Sequence, residues 1–231
     1  MTTVDQTHAR DPQPQTIHVV GSSPRLSPHP SPSAAGRVVR ALGRLATWRV
    51  WTSLAAVYLL FAGVFFASTL TFAIPQVEAA CGQPPLDVRF TSSAAQVHGF
   101  LEACGPVGRE AYRMMQLADL FYPAVFALFL ASSLALVLRH LAPDRPRLLA
   151  LAALPLLASA FDYAENVLAW LSLAAFPEPA ATDGLLGIAS AAKSATSWLS
   201  GGLLIVLVVA LAVVRLRGLV RRGRRRVEAA R

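Results

Sequence analysis

The sequence predicts an all-α, polytopic membrane protein whose four transmembrane helices form an antiparallel bundle. Hydrophobic residues make up 55% of the 231 residues and charged residues 15%, whereas soluble globular proteins carry about 25% charged residues. Four apolar segments are long enough to cross about 30 Å of hydrocarbon, which takes roughly 20 helical residues. These predicted spans cover approximately residues 50–74, 117–138, 149–174 and 186–214. With their connecting loops they make one domain over residues 37–214.

The chain before the first span divides into two parts. Residues 1–36 are rich in proline, serine and histidine and have no apolar periodicity, which predicts a disordered tail. Residues 37–49 alternate arginines with Val38, Leu42 and Leu45, a pattern typical of an amphipathic helix at the membrane surface. The first apolar run begins too late and is too long for a cleavable signal peptide, so we expect it to remain as an anchor.

The distribution of arginine predicts the topology. Arginines precede the first span, separate the second from the third and follow the fourth, while the other two loops are acidic or mixed. This alternation follows the positive-inside rule and places both termini in the cytoplasm of a cell whose plasma membrane holds the chain. The net charge of +8 therefore indicates topology and no nucleic-acid partner. Residues 215–231 form a basic tail expected to contact anionic lipid headgroups.

The predicted external loop, residues 75–116, is long enough for a small substructure. Asp87–Val97 reads as strand or loop, Val97–Ala103 as a short helix, and Gly105-Pro106 as the start of a helix that runs uninterrupted to about residue 140. Cys81 and Cys104 lie in this loop, where an external, oxidising location favours a disulfide. The alternatives are two free thiols or a metal site with few ligands nearby, and the absence of C-x-x-C argues against redox catalysis.

The third and fourth spans have features of their own. Pro155 lacks an N–H group and is expected to kink the third span about two turns before Asp162. The fourth segment is nearly 30 residues long, so it either tilts or extends into the outer interface.

Ionisable residues inside these apolar segments are the candidate site. Charge in hydrocarbon costs about 2.5–3.5 kcal/mol per residue, so such side chains are expected to meet each other, water or a ligand. Depths counted from the cytoplasmic arginines at 1.5 Å per residue place them about 22–33 Å away, in the outer leaflet or at its interface. The candidate ligand-binding residues are Asp119, Tyr122, Asp162, Glu165, Asn166 and Lys193.

The spacing of these residues supports a shared site. Asp162, Glu165 and Asn166 fall on one helical face, and Tyr122 at i+3 is expected to bring its phenol to Asp119. Lys193 lies among serines and glycines that allow close helix packing. Three carboxylates face one ammonium, so a proton, a cation, Arg109 or Arg113 must balance the charge.

Three interpretations remain open. The cluster binds a proton, a cation or a small polar or lipid ligand; or it fixes helix register in a structural or partner-assembly subunit; or, third, it serves an intramembrane enzyme. Zinc-protease and serine-hydrolase motifs are missing and no histidine falls within a span, so no catalytic residue, metal or cofactor is assigned. Four helices without an inverted repeat disfavour alternating-access transport unless the chain forms a homo-oligomer.

The stretch from Tyr112 to Trp198 resembles an uncharacterised family of bacterial four-span integral membrane proteins. The runs that carry the resemblance are AYRMMQLADLFYPAVFALFL, LPLLASAFDYAENVL and the small-residue segment around Lys193. They cover about 90 residues, less than half of the chain. The resemblance implies that the polar positions belong to a shared motif, and it implies no activity, because none is assigned to that family.

Overall fold

A computed structural model of the chain describes residues 34–229, and every regular element in this part is helical. The predicted disordered tail lies outside the described residues up to residue 33. From Ala34 onward the chain is helical, so the folded part begins slightly earlier than predicted. The α-helices are α1 Ala34–Leu45, α2 Trp48–Ala67, α3 Ile74–Cys81, α4 Ala94–Ala103, α5 Gly105–Ala118, α6 Tyr122–Leu141, α7 Leu154–Ala175 and α8 Asp183–Ala229.

The basic lead-in and the first span are separate helices. Thr47 ends the short link after α1 and caps α2 by accepting the Val50 N–H at 3.3 Å. Such a cap satisfies one of the N–H groups left free at a helix start. The α2 helix ends at Ala67, before the predicted end of the span near residue 74, and the chain turns before Pro75 starts α3.

The predicted external loop folds into α3, a 3-10 turn at Leu86–Val88, α4 and α5. The Ser93 hydroxyl accepts the Gln96 N–H while the Gln96 side chain accepts the Ser93 N–H, a capping box that fixes the start of α4. Cys81 and Cys104 are joined by a disulfide, which confirms the predicted pairing. Around the disulfide, Phe100 and Tyr112 are fully buried.

The predicted uninterrupted helix from about 106 to 140 is wrong, because the chain breaks between α5 and α6. Residues 119–121 form a turn, and Tyr122 and Pro123 begin α6. A proline ring collides with the carbonyl four residues earlier, which for Pro123 is the carbonyl of Asp119. The proline therefore begins a new helix. In the described part of the chain the Asp119 and Leu120 carbonyl oxygens accept no backbone N–H, whereas the Phe121 carbonyl oxygen accepts that of Val125.

Pro155 does not kink the middle of the third span, contrary to the prediction. Residues Pro146–Ala153 form a 3-10 helix, and Pro155 lies in the first turn of α7. Proline is well tolerated there because first-turn N–H groups have no partner within the helix. The third span is thus a 3-10 segment followed by α7.

The last helix, α8, has 47 residues and continues to Ala229, a length of about 70 Å. The predicted basic tail after residue 214 is therefore helical through residue 229. At the other end, the Asp183 carboxylate accepts the Ser172 hydroxyl and the Ala180 N–H, which ties the start of α8 to α7.

Four segments are long and apolar enough to cross a membrane, as the sequence predicts. These candidate spans are Trp48–Ala67, Tyr122–Leu141, Pro146–Ala175 and Asp183–Gly223. Much of the surface of α2 and α8 is exposed, including Leu59, Leu60, Ile205 and Val206. Exposed apolar surface on this scale indicates contact with lipid or another chain.

Two buried clusters hold the helices together. One surrounds the disulfide and includes Phe65, Leu173 and Leu186. The other joins α1, α6 and the 3-10 segment through residues such as Leu42 and Leu134. Beside this second cluster, Arg139 of α6 donates to the carbonyl oxygens of Gly43 in α1 and of Ala46 just after it.

The segment from α3 to α5, which we call the external segment after its predicted location, approaches α8 closely at Gly187. An added Cβ at Gly187 would lie 2.0 Å from the Ser92 carbonyl oxygen, so only glycine fits beneath this backbone. The Thr91 hydroxyl donates to the Gly187 carbonyl oxygen at 2.9 Å. The contact positions the preceding residues, including the 3-10 turn, over α8.

Candidate functional site

Lys193 is the centre of the site. Its Nζ forms ion pairs with Glu165 Oε2 and, at 3.4 Å, with Asp162 Oδ1. It also donates to the backbone carbonyl oxygen of Asp87 at 2.8 Å. One ammonium therefore links α8 with two acids of α7 and with the 3-10 turn of the external segment.

Glu165 is the most deeply enclosed acid of the site. Its side chain is 1% exposed, and its second oxygen, Oε1, accepts the hydroxyl of Ser190 on α8. Both carboxylate oxygens thus have a partner on α8. A buried charge of this kind is retained only when paired, and Lys193 and Ser190 pair Glu165 of α7 with α8.

Asn166 and Tyr163 bind the turn between α5 and α6. The Asn166 Nδ2 donates to Asp119 Oδ2 at 2.9 Å and lies 3.4 Å from the Asp119 carbonyl oxygen. The Tyr163 hydroxyl donates to the Leu120 carbonyl oxygen at 2.9 Å. The carbonyls freed by Pro123 are therefore bonded by side chains of α7, which holds the Asp119 carboxyl beside the site.

Tyr122 borders the site but does not bond to Asp119 in the described part of the chain. Its ring stacks on Phe126 and lies against Phe65 and Tyr58. The expected Asp119–Tyr122 hydrogen bond is thus replaced by aromatic packing, because the turn separates Tyr122 from Asp119 instead of keeping both on one helix.

Asp87 also belongs to the site, although the sequence pattern did not identify it as a candidate. Its carboxylate accepts the Tyr112 hydroxyl at 2.8 Å and the Gln116 Nε2 at 2.7 Å. Burial, followed by the nearby Asp87 carboxylate, raises the pKa of Tyr112 well above its ordinary value, so the phenol remains a donor. The only signal in the sequence is that Tyr112 and Gln116 are one helical turn apart on α5.

The two external arginines proposed to balance the acids are engaged elsewhere. Arg109 donates to the Leu101 carbonyl oxygen at 2.9 Å and lies 4.2 Å from the centre of the Phe176 ring. Arg113 forms an ion pair with Glu110. Neither contact involves the acids around Lys193.

These polar groups meet at a small cavity. We call the following residues the acidic cluster: Asp87, Asp119, Asp162, Glu165, Asn166 and Lys193. The cavity has a volume of about 60 Å³, and Asp87, Asp119, Asp162 and Lys193 line it together with apolar side chains such as Phe65 and Phe66. It has room for a few water molecules or one small ion.

No protein-family model, curated protein or solved structure matches the chain. The resemblance to a bacterial four-span family therefore stays a prediction, and the chemistry rests on the acidic cluster itself. The cluster contains four carboxyl groups and one ammonium, which pairs directly with Asp162 and Glu165. Among residues 34–229, no group of three or more His, Cys, Asp or Glu side chains is arranged to hold a metal ion.

The cluster has more acceptors than donors. Among the described residues, the buried amide oxygens of Gln116 and Asn166 have no hydrogen-bond donor. Asp119 lies in the turn before the second span, where burial raises the pKa of its carboxyl well above the usual range. The neighbouring carboxylates of Asp162 and Asp87 raise it further, against the opposing effects of Asn166 and Lys193. Uptake of a proton by an acid of the cluster is the chemistry that best relieves this imbalance.

Proposed function

We propose that the chain is a multi-pass integral protein of the plasma membrane whose acidic cluster binds and releases a proton. The observation that carries this proposal is the cavity bordered by three carboxyl groups and one ammonium. A volume of about 60 Å³ suits water, a proton or a small cation better than a lipid headgroup or organic ligand. A small cation is the alternative occupant, since oxygen ligands suit hard cations.

The proposed topology has four antiparallel spans, with both termini in the cytoplasm. Supporting it, Arg139 at the end of α6 donates to the Ala46 carbonyl oxygen at 2.9 Å, near the end of α1. The arginine-rich lead-in and the arginines after α6 therefore lie at the same end of the fold. Under the positive-inside rule this end faces the cytoplasm, and the arginines of α8 beyond residue 214 contact anionic headgroups there.

A second candidate function is purely architectural. Lys193 joins α7, α8 and the external segment, which is how interhelical polar contacts commonly fix register in membrane proteins. In this case the chain is a structural or partner-assembly subunit. The two candidates differ in how stability depends on pH.

The test is thermal unfolding of the purified protein in detergent from pH 4 to pH 9, comparing wild type with Asp119→Asn. The folded-state pKa of Asp119 is raised, so the native state holds more protons than the unfolded state between the two pKa values. The contribution of Asp119 to the free energy of unfolding is therefore complete below about pH 3.9, the ordinary pKa of Asp. This contribution is lost as the pH rises through the folded-state pKa. Asp119→Asn should flatten this decline.

Asp144→Asn is the matched control, because Asp144 is an exposed acid between α6 and the 3-10 segment. It should leave the pH profile unchanged. Parallel profiles for wild type and Asp119→Asn would exclude proton binding at Asp119, and a uniform loss of stability at every pH would favour the architectural role. Repeating the measurement in sodium, potassium and choline chloride separates a bound cation from a proton, because only a bound cation makes stability depend on the salt.

A further inference from the structure

A second cavity, separate from the acidic cluster, lies on the outside of the bundle. It is an apolar groove of about 600 Å³ between the 3-10 segment with the first turns of α7 on one side and α8 on the other. Ala150, Ala153, Leu154 and Leu157 line the first side, and Leu199 and Leu203 line the second. The lining is entirely apolar, so the groove suits a hydrocarbon chain and offers no partner to a polar ligand.

A cationic side chain, that of Arg147, lies near one end of this groove. In a 3-10 helix, residues three apart lie above one another, so Arg147 shares a face with the groove residues Ala150 and Ala153. The Arg147 side chain is exposed, as is that of the neighbouring Arg145. The groove therefore has a cationic side chain near one end and an apolar lining.

The distance from Arg147 to the far end of the groove is comparable to the thickness of one leaflet of a bilayer. The rise from Arg147 to Leu157 is about 18 Å, at about 2.0 Å per residue in the 3-10 segment and 1.5 Å per residue in α7. Half of a hydrocarbon core of about 30 Å is about 15 Å. A lipid whose headgroup lies at Arg147 would thus have an acyl chain along the whole groove.

We propose that this groove binds an anionic phospholipid of the cytoplasmic leaflet, with one acyl chain between α7 and α8 and the phosphate on Arg147. Guanidinium pairs well with phosphate oxygens because two parallel N–H groups match two oxygens. A second positive charge at Arg145 favours a lipid with net negative charge over a zwitterionic one. The inference rests on the proposed function, since it requires that these helices span a membrane with Arg147 at the cytoplasmic surface.

The experiment titrates the purified full-length chain in detergent with phosphatidylglycerol or with phosphatidylcholine of the same acyl composition. Bound lipid is counted by native mass spectrometry and the melting temperature is measured in parallel. Arg147→Gln should weaken phosphatidylglycerol binding about fivefold, the value of one surface charge, and weaken phosphatidylcholine binding less, because the choline ammonium already offsets the charge of its phosphate. Ala150→Phe fills the groove and should weaken binding of both lipids.

Two matched variants serve as controls. Arg113→Gln removes a partly exposed arginine of α5 that pairs with Glu110 and does not line the groove, and Ala160→Phe enlarges an exposed alanine of α7 outside the groove lining. Both should bind lipid as wild type does. Equal binding of the two lipids by wild type, or equal losses in Arg113→Gln and Arg147→Gln, would overturn the assignment. A dimer that Ala150→Phe dissociates would show a second copy of the chain in the groove instead.

Alkaline carbonate extraction of cell membranes separates failure of this inference from failure of the proposed function. A chain that carbonate releases is not membrane-inserted, and the proposed function then fails with the inference. A chain that resists extraction but shows no lipid preference overturns only the groove assignment.

Discussion

Alanine at Gly187 should displace the external segment from α8. The new Cβ would lie 2.0 Å from the Ser92 carbonyl oxygen and 3.0 and 3.1 Å from the Ser92 carbonyl carbon and nitrogen. All three are backbone atoms, so no side-chain rotation can relieve the contact. The backbone at Ser92 must move, and the Thr91 hydrogen bond to Gly187 is lost with it.

The size of the effect follows from two opposing terms. Ordinary Cβ contacts begin at about 3.4 Å, so the Ser92 oxygen must move by about 1.4 Å, the difference between 3.4 and 2.0 Å. Overpacking of this kind costs about 1–3 kcal/mol, and a rigid backbone neighbour places it at the upper end. Replacing glycine by alanine within a helix stabilises the helix by up to about 1 kcal/mol. The net loss is about 2 kcal/mol.

Thermal unfolding in detergent measures this loss. For a chain of this size, 1 kcal/mol corresponds to about 2–4 °C, so Gly187→Ala should lower the melting temperature by about 4–8 °C. Gly184→Ala is the matched control on the same helix, because Gly184 is exposed and its Cβ would meet nothing within 4 Å. It should melt at or above the wild-type temperature. If Gly187→Ala does the same, the close approach of Ser92 to α8 is wrong.

Two further predictions concern the disulfide and the ion pair. Reduction with dithiothreitol should destabilise the protein by about 3 kcal/mol, the loop-closure value for this sequence separation, and a Cys81→Ser/Cys104→Ser variant should melt at the same temperature with or without reductant. Lys193→Met should cost about 3–5 kcal/mol by leaving Glu165 buried without its cation. Adding Glu165→Gln should recover much of that loss in the same melting assay, and no recovery would mean that the ion pair does not account for it.

Part of the acidic cluster could be predicted because charge is conspicuous in apolar sequence. Asp162, Glu165 and Asn166 repeat at helical spacing, and Lys193 interrupts a run of small and apolar residues. Each therefore required a partner, and the structure brings them together. Asp87 carried no such signal, because an acid in a polar loop is ordinary. Its place beside Lys193 depends on how the external segment folds onto α8, which requires Gly187.

The helix boundaries, like the acidic cluster, could be predicted only in part. Apolar length located all four candidate spans, but it could not locate the break before α6, since Asp119 lies within the same apolar stretch. Pro123 was the available signal, through its effect on the carbonyl four residues earlier. The helical continuation of α8 was missed because arginine composition alone does not separate a helix from a solvated tail.

Because α8 is one uninterrupted helix, we expect its two ends to move together. Lys193 and Arg222 are separated by 29 helical residues, about 44 Å along the axis. A tilt of about 5° about Lys193 would carry Arg222 about 4 Å sideways, calculated from the same helical rise. If α8 moves as a rigid body, a small rearrangement at the acidic cluster would displace the arginine-rich end, and distances between spin labels at the two ends of α8 would measure that displacement.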